Sequence, residues 1–229
     1  MSKSSKRMAV NRQSIDSNQH YSFDEAISVL KKTSNAKFDE TIDIAINLGI
    51  DPKKSEQNVR GSMVLPNGTG KTLRVIVFAQ SEQLDAAKKA GADEVGFEDL
   101  AEKIKSGFSE FDVVIATPDT MRVVGQLGQI LGPKGMMPNP KDGTVTKNVE
   151  DAVIKAKTGQ IRFRNDKGGV VHCPIGKIGF TEASIKENLQ SLLDEIVKSK
   201  PSSTKGAFIK KITVSSTMGP GIIIDHSSL

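Results

Sequence analysis

A chain of 229 residues is long enough for one or two domains, and its 37% hydrophobic and 26% charged residues are those of an ordinary folded protein. No apolar run approaches the roughly 20 residues of a membrane-spanning helix, and no signal-peptide core follows the N-terminus. Together with a single cysteine, Cys173, these features predict a cytoplasmic protein without disulfides. The formal charge of +5 and the isoelectric point of about 9.2 favour a polyanionic partner, although solubility alone also accounts for them.

The N-terminal dozen residues carry Lys3, Lys6, Arg7 and Arg12 and no acidic residue. This segment is either a basic arm that RNA orders or simply a frayed terminus. After it, the capping-box pattern of Ser22-Phe23-Asp24-Glu25 predicts the start of a helix.

Strand patterns of two kinds follow. Apolar and polar residues alternate between 41 and 48, which predicts a strand with one buried face. Leu73–Phe78 and Asp112–Ala116 are instead almost continuously apolar, as in strands that are covered on both faces. Helical patterns near 86–90 and 100–105 separate these two runs, so the middle of the chain predicts β-α-β units and a small parallel sheet.

The C-terminal third returns to half-buried patterns. Gln160–Arg164 and Val170–Pro174 predict two strands joined by a turn. Thr181 is placed to cap an amphipathic helix, and Phe208–Ser216 predicts the last strand.

The two ends of the chain therefore share one pattern and the centre has another. The predicted fold is α/β (α+β), with a discontinuous domain formed by both termini, residues 1–67 and 160–229. A Rossmann-like parallel α/β domain, residues 68–159, is inserted into it.

One motif favours an enzyme. Gly70-Lys71-Thr72 matches the end of a phosphate-binding loop, which would make the protein a nucleotide-binding enzyme. The full pattern requires a glycine where Leu65 stands, and it requires a helix where the strand pattern begins at Leu73. A polar turn at a domain junction is the preferred interpretation, and the enzyme remains the alternative.

No other catalytic pattern is present. His172 and Cys173 are neighbours on a predicted strand, so their side chains point to opposite faces and cannot form a nucleophile–base pair. The cysteine is better explained as a small buried side chain. The three histidines and one cysteine also lack the spacing of metal ligands. We therefore expect no catalytic residues, no metal and no cofactor.

Polar segments with basic or hydroxyl side chains are the better candidates for a site. Arg162 and Arg164 share one strand face, which Lys167 extends, and this face suits either phosphate contact or plain solvation. The hydroxyls and glycines of Thr213–Gly221 suit contact with ribose 2′-hydroxyls, or simply a strand that ends in a turn. From composition alone, Phe38 is interpreted as a core residue.

Taken in order, several segments of the chain resemble the L-one family of large-subunit ribosomal proteins. Each motif is weak by itself, but the ordered set is specific and extends from about Tyr21 to the C-terminus. The segments that carry the resemblance are Lys37–Thr41, Asn47–Pro52, Gln57–Gly61, Leu65–Gly70, Leu131–Pro140, Phe163–Lys167, Lys205-Gly206 and Thr217–Gly219.

The resemblance implies that the discontinuous domain binds the mobile stalk of the large-subunit rRNA beside the tRNA exit site. By position, Lys37, Phe38, Glu40 and Thr41 match one half of the RNA-binding surface, and Thr217–Gly219, which contains Met218, match the other. Phe38 and Met218 would supply apolar contacts, and Thr217 and Glu40 would supply hydrogen bonds. Flanking contacts are expected at Arg164, Lys167, His172 and Ser215.

The resemblance also implies wider roles. Such a protein is a constituent of the large ribosomal subunit, assists release of deacylated tRNA at the exit site, and represses translation of its own-operon mRNA through the same surface. We expect it to be a monomer when free, and cytoplasmic, on the ribosome.

Overall fold

The computed structural model describes residues 6–13, 15–16, 19–80 and 82–225. The chain forms two compact units, one made of the residues up to Gly70 and from Ile161 onward, the other of Lys71–Gln160. These limits lie within a few residues of the domain boundaries expected from the sequence. That each unit is an independent domain remains a prediction.

Helices and strands alternate along the described chain. The helices are α1 Lys6–Gln13, α2 Phe23–Thr33, α3 Glu82–Lys89, α4 Glu98–Lys105, α5 Met121–Gln126, α6 Gly128–Leu131, α7 Val149–Thr158 and α8 Glu182–Lys198. The strands are β1 Thr41–Leu48, β2 Arg60–Val64, β3 Val75–Phe78, β4 Glu94–Gly96, β5 Val113–Ala116, β6 Gln160–Arg164, β7 Val170–Lys177, β8 Ile209–Ser216 and β9 Ile222–Ile224. None of the helices in the described ranges is long and apolar enough to cross a membrane.

The first unit is built around an antiparallel sheet of strand order β7-β1-β8-β9. Burial alternates strictly along β1, as predicted: Ile42, Ile44, Ile46 and Leu48 are buried, and the residues between them are partly exposed. The buried side chains form one core with the apolar residues of α2 and α8. The opposite face of the sheet is therefore more polar and more accessible.

Both helices of this core begin where the sequence predicts. Ser22 and Glu25 form a complete capping box at the start of α2, with the Glu25 amide donating to Ser22 Oγ at 3.4 Å. Thr181 caps α8 by accepting a hydrogen bond from the Ser184 amide at 3.2 Å.

The second unit contains a parallel sheet of order β4-β3-β5. Ile76 and Phe78 pack into a core on one face, and Val75 and Val77 pack into a second core on the other face. The prediction of strands covered on both faces is thus confirmed, as is the mixed α/β class, which contains both antiparallel and parallel sheets.

Two expectations from the sequence need correction. A frayed terminus is wrong for Lys6–Gln13, which form α1 and are anchored by buried Asn11, whose amide donates to the Thr33 carbonyl at 3.0 Å. Residues 1–5 of the basic segment lie outside the described residues. The last described strand is β9, three hydrophobic residues that continue the sheet beyond β8.

The two predicted strands β6 and β7, with a turn between them, are confirmed. The partner of β6 was not predicted: this strand pairs with β2 and meets β7 at a single bridge between Asn165 and Val171. Asn165 directs this pairing, because its side-chain oxygen accepts from the Val59 amide at 2.8 Å just before β2 begins. An arrangement that depends on one asparagine and a distant amide leaves no periodic signal in the sequence.

Candidate nucleic-acid interface

Two predicted site segments, 176 residues apart, meet at one end of the antiparallel sheet. The register of β1 and β8 places Ile42 opposite Ser216, so the chain leaving β8 passes the start of β1. The Thr217 amide donates to the Thr41 carbonyl at 3.1 Å, and the Thr41 amide donates to Thr217 Oγ1 at 3.0 Å. Lys37–Thr41 and Thr217–Gly219 therefore form one continuous surface, here called the Glu40 cluster.

Glu40 joins the two segments from within. Its residue is only 1% exposed, yet both carboxylate oxygens accept hydrogen bonds. Oε1 accepts from the Ser34 hydroxyl at 2.7 Å and the Ala36 amide at 3.3 Å, and Oε2 accepts from the Met218 amide at 3.0 Å. No local pattern in the sequence marks Ser34 as a partner of Glu40.

These contacts keep Glu40 ionised. Burial alone would raise the pKa of its carboxyl, but hydrogen bonds outweigh that effect and hold the pKa below the ordinary value of 4.5. The Ser216 hydroxyl also contributes through its proximity, although it makes no hydrogen bond of standard geometry there. The cluster therefore contains a buried negative charge that the protein's own donors satisfy.

Apolar side chains point outward on both sides of this buried acid. Phe38 is 55% exposed and Met218 is 43% exposed, in a unit whose other large apolar residues are mostly buried. The interpretation of Phe38 as a core residue was wrong, because the turn that Glu40 holds directs the side chain into solvent. Exposed aromatic and thioether groups next to exposed Lys37 and Thr217 are suited to contact with bases and ribose.

Gly219 is required by the shape of this turn. A side chain at that position would collide with the hydroxyl of buried Ser216. The close approach keeps the Thr217–Gly219 backbone against the sheet, so its geometry is fixed before any partner binds.

His172 and Ser215 lie on the accessible face of the same sheet. In the register, Ser215 is opposite Asp43, and His172 is opposite Ala45, further along β1. His172 is exposed, and its Nε2 lies 3.7 Å from a carboxylate oxygen of Asp166. Both predicted flanking residues thus share the face that continues from the Glu40 cluster.

Arg164 and Lys167 lie at the other end of the sheet. The Leu48 amide donates to the Gly169 carbonyl at 2.9 Å, which places the turn of residues 165–169 beside the end of β1. Since β1 rises about 3.3 Å per residue, this turn is on the order of 20 Å from the Glu40 cluster. Arg164 and Lys167 are exposed and line a groove with Asp166, Pro52 and Asn58.

The Asp166 carboxylate organises this basic turn. Its Oδ1 accepts from the amides of Gly168 and Val170, both at 2.8 Å. The bond from Val170 is the main reason why the pKa of Asp166 lies below its usual value. The Asp166 carboxylate is therefore hydrogen-bonded to backbone amides, and the side chains of Arg164 and Lys167 are exposed to solvent.

Comparison with known proteins identifies the family. The model of the ribosomal protein L1p/L10e family matches residues 30–220. The chain belongs to this family. Its sequence is 60% identical over 229 residues to the large ribosomal subunit protein uL1 of Mannheimia succiniciproducens, covering 100% of both chains. Identity is 60% with uL1 of Tolumonas auensis, covering 100% of this chain and 98% of that one, and 59% with uL1 of Haemophilus influenzae strain Rd, covering 100% of both.

Membership of a family of ribosomal proteins agrees with the prediction of a non-enzyme. The residues considered for catalysis have structural explanations. Cys173 is buried, and burial raises the pKa of its thiol to about 12, so the reactive thiolate is not available near neutral pH. Gly70-Lys71-Thr72 is followed by β3 and not by the helix of a phosphate-binding loop. The described residues also contain no group of three His, Cys, Asp or Glu side chains that could hold a metal ion.

Proposed function

We propose that the protein is a constituent of the large ribosomal subunit that binds the mobile rRNA stalk near the tRNA exit site through the Glu40 cluster. The observation that carries the proposal is the exposure of Phe38 and Met218 on either side of a buried, ionised Glu40. Exposed apolar groups in a rigid setting contribute to recognition, whereas they contribute little to folding.

Each group in the cluster has a distinct part in this function. Phe38 and Met218 make apolar contacts with bases or ribose, and Thr217 offers the remaining acceptor capacity of its hydroxyl. Glu40 acts mainly by holding the two segments together, since its oxygens already accept bonds from the protein. Direct contact of Glu40 with RNA, expected from the resemblance, would have to compete with these hydrogen bonds.

The remaining predicted residues extend this surface. Ser215 and His172 continue it along the open sheet face, and Arg164 and Lys167 neutralise phosphates farther away. Assistance in releasing deacylated tRNA and repression of the protein's own-operon mRNA belong to the same proposal, the latter through the same surface. The free protein is proposed to be a cytoplasmic monomer.

Binding to a large-subunit rRNA stalk fragment tests the proposal directly. We expect the purified protein to prefer the stalk over a scrambled duplex of equal length, and to keep that preference at moderate salt. Equal, strongly salt-sensitive binding to both RNAs would mean that binding depends only on the positive charge of the protein, and the proposal would fail.

The variant Phe38→Ala locates the site. We expect it to weaken stalk binding about tenfold or more, because an aromatic contact with a base contributes roughly 1–3 kcal/mol. Val197→Ala is the matched control, since Val197 is a similarly exposed apolar residue, 52% exposed, on α8. Equal affinities of the two variants would contradict the assignment of Phe38.

A further inference from the structure

We propose that α1 is a second RNA-binding element, in which Arg12 contacts a phosphate of the same RNA that the Glu40 cluster binds. The inference rests on the proposed function, and it assigns a role to a basic segment for which the resemblance gives none.

The helix is held against the first unit by contacts from its polar and apolar residues. Asn11 is 5% exposed, and its side-chain amide donates to the carbonyl of Thr33 at the end of α2. Ile15, which follows the helix, is part of the main core. The Asp16 amide then donates to the Tyr21 hydroxyl at 3.0 Å. Side chains on the outer face of α1 therefore project from a fixed position.

That position is directly beside the Glu40 cluster. Met8, Arg12 and Ile15 line a cavity of about 370 Å³ whose other wall is Gly219-Pro220-Gly221, the continuation of the Thr217–Gly219 turn. A nucleotide that contacts Met218 or Gly219 would thus have its neighbouring phosphate within reach of Arg12.

The charge of α1 matches such a phosphate. The helix carries Lys6, Arg7 and Arg12 and no acidic residue, and all three basic side chains are exposed. Among the described residues, no carboxylate forms an ion pair with Arg12. A guanidinium that forms no ion pair within the described part of the chain, fixed beside a proposed RNA surface, is suited to bidentate binding of a phosphate.

The salt dependence of binding tests the phosphate contact. We compare Arg12→Gln with Arg122→Gln, which removes an exposed arginine of α5 in the other unit. For the stalk fragment, Arg12→Gln is expected to weaken binding several-fold at low salt. It should also make the slope of log K against log salt concentration shallower by about 0.9, the value for one lost phosphate contact. Arg122→Gln should leave both quantities unchanged.

Proximity can be measured independently of affinity. The only native cysteine, Cys173, is buried, so Arg12→Cys introduces an accessible thiol that can carry a photo-cross-linker. We expect cross-links from position 12 to the stalk fragment, and none from the matched Arg122→Cys variant.

The outcomes separate this inference from the proposed function. An unchanged salt slope for Arg12→Gln, or no cross-link from position 12, would overturn the role of α1 while the wild-type preference for the stalk still stands. Equal losses of stalk affinity in the Arg12 and Arg122 variants would also overturn it, because binding would then depend only on the net charge of the protein. Loss of the wild-type preference itself would overturn the proposed function and this inference with it.

Discussion

The Glu40 cluster of the first unit and the crevice at the ends of β3 and β5 in the second unit bury polar groups in different ways. In the crevice, Thr117 and Thr120 are almost fully buried, and the Thr120 hydroxyl lies 3.1 Å from the Phe78 carbonyl oxygen. The two threonine hydroxyls are 3.3 Å apart. This is the position at which open parallel sheets often bind ligands, and here the Thr120 hydroxyl lies within hydrogen-bond distance of the Phe78 and Thr117 carbonyls.

The Glu40 cluster instead buries a charge and exposes apolar groups. Removing an ionised carboxylate from water is costly unless hydrogen bonds replace the lost hydration. The hydrogen bonds that do so for Glu40 also hold two chain segments in place. The side chains of Phe38 and Met218 do not offset that desolvation cost, because they remain exposed in the folded protein. A buried polar group is therefore a better indicator of function where the structure that it supports also exposes groups that folding does not need.

The largest effect is expected from Glu40→Gln. The side chain of glutamine is neutral, so the charge-assisted hydrogen bonds are lost. Its NH₂ group also takes the place of one carboxylate oxygen, and it would then face protein donors that bond to that oxygen in the wild type. Since hydrogen bonds to charged groups contribute about 1.5–3 kcal/mol, we expect the free energy of unfolding to fall by about 2 kcal/mol. Stalk affinity should fall about tenfold as Phe38 and Met218 lose their fixed positions. Urea unfolding and RNA binding measure the two effects.

Two controls make this result specific. Glu56→Gln neutralises an exposed glutamate of the same unit and should change neither quantity. Thr120→Val removes a buried hydroxyl in the crevice, and it should lower stability without altering stalk affinity. If Thr120→Val weakened RNA binding as much as Glu40→Gln, the contrast between the two regions would disappear.

The pH dependence of stability offers a second, smaller test of Glu40. Because its pKa is lower in the folded protein than the ordinary value of 4.5, its ionised form stabilises the fold above that value. This contribution is lost as the pH falls through the folded-state pKa. The difference in unfolding free energy between wild type and Glu40→Gln should therefore be constant near neutral pH and should shrink below about pH 4.5.

Comparison with the variant isolates Glu40 from other acids. The pKa values of Asp93 and Asp166 are also lowered, and both proteins share their contributions. A difference that stayed the same down to about pH 3 would show that the charge of Glu40 is not what stabilises the cluster.

Much of the fold was predictable because it follows from local periodicity. The alternation along β1, the continuous apolar run of β3 and the capping box at Ser22 each depend on residues that are close in sequence. The β2–β6 pair and β9 were not predicted. Their pairing depends on distant partners, such as the contact between Asn165 and Val59, and they are short or rich in small residues.

The candidate site was predictable only in part and for a different reason. Its residues were selected by resemblance, and composition alone placed Phe38 in the core. What the sequence could not provide was the role of Glu40, because its three donors belong to Ser34, Ala36 and Met218, which only the folded chain brings together. The position of Arg12 beside Gly219 likewise depends on how α1 docks.

The smallest expected effect comes from Lys167→Gln at the other end of β1. Lys167 is exposed and lines an open groove, so we expect it to contribute one phosphate contact. Such a contact should not distinguish one RNA from another. We expect affinity for the stalk and for the scrambled duplex to fall together by a few-fold, with the salt slope shallower by about 0.9. Lys88→Gln, an exposed lysine of α3, is the control. If Lys167→Gln instead reduced the preference for the stalk, the basic turn would share in specific recognition, and the contrast between it and the Glu40 cluster would have to be withdrawn.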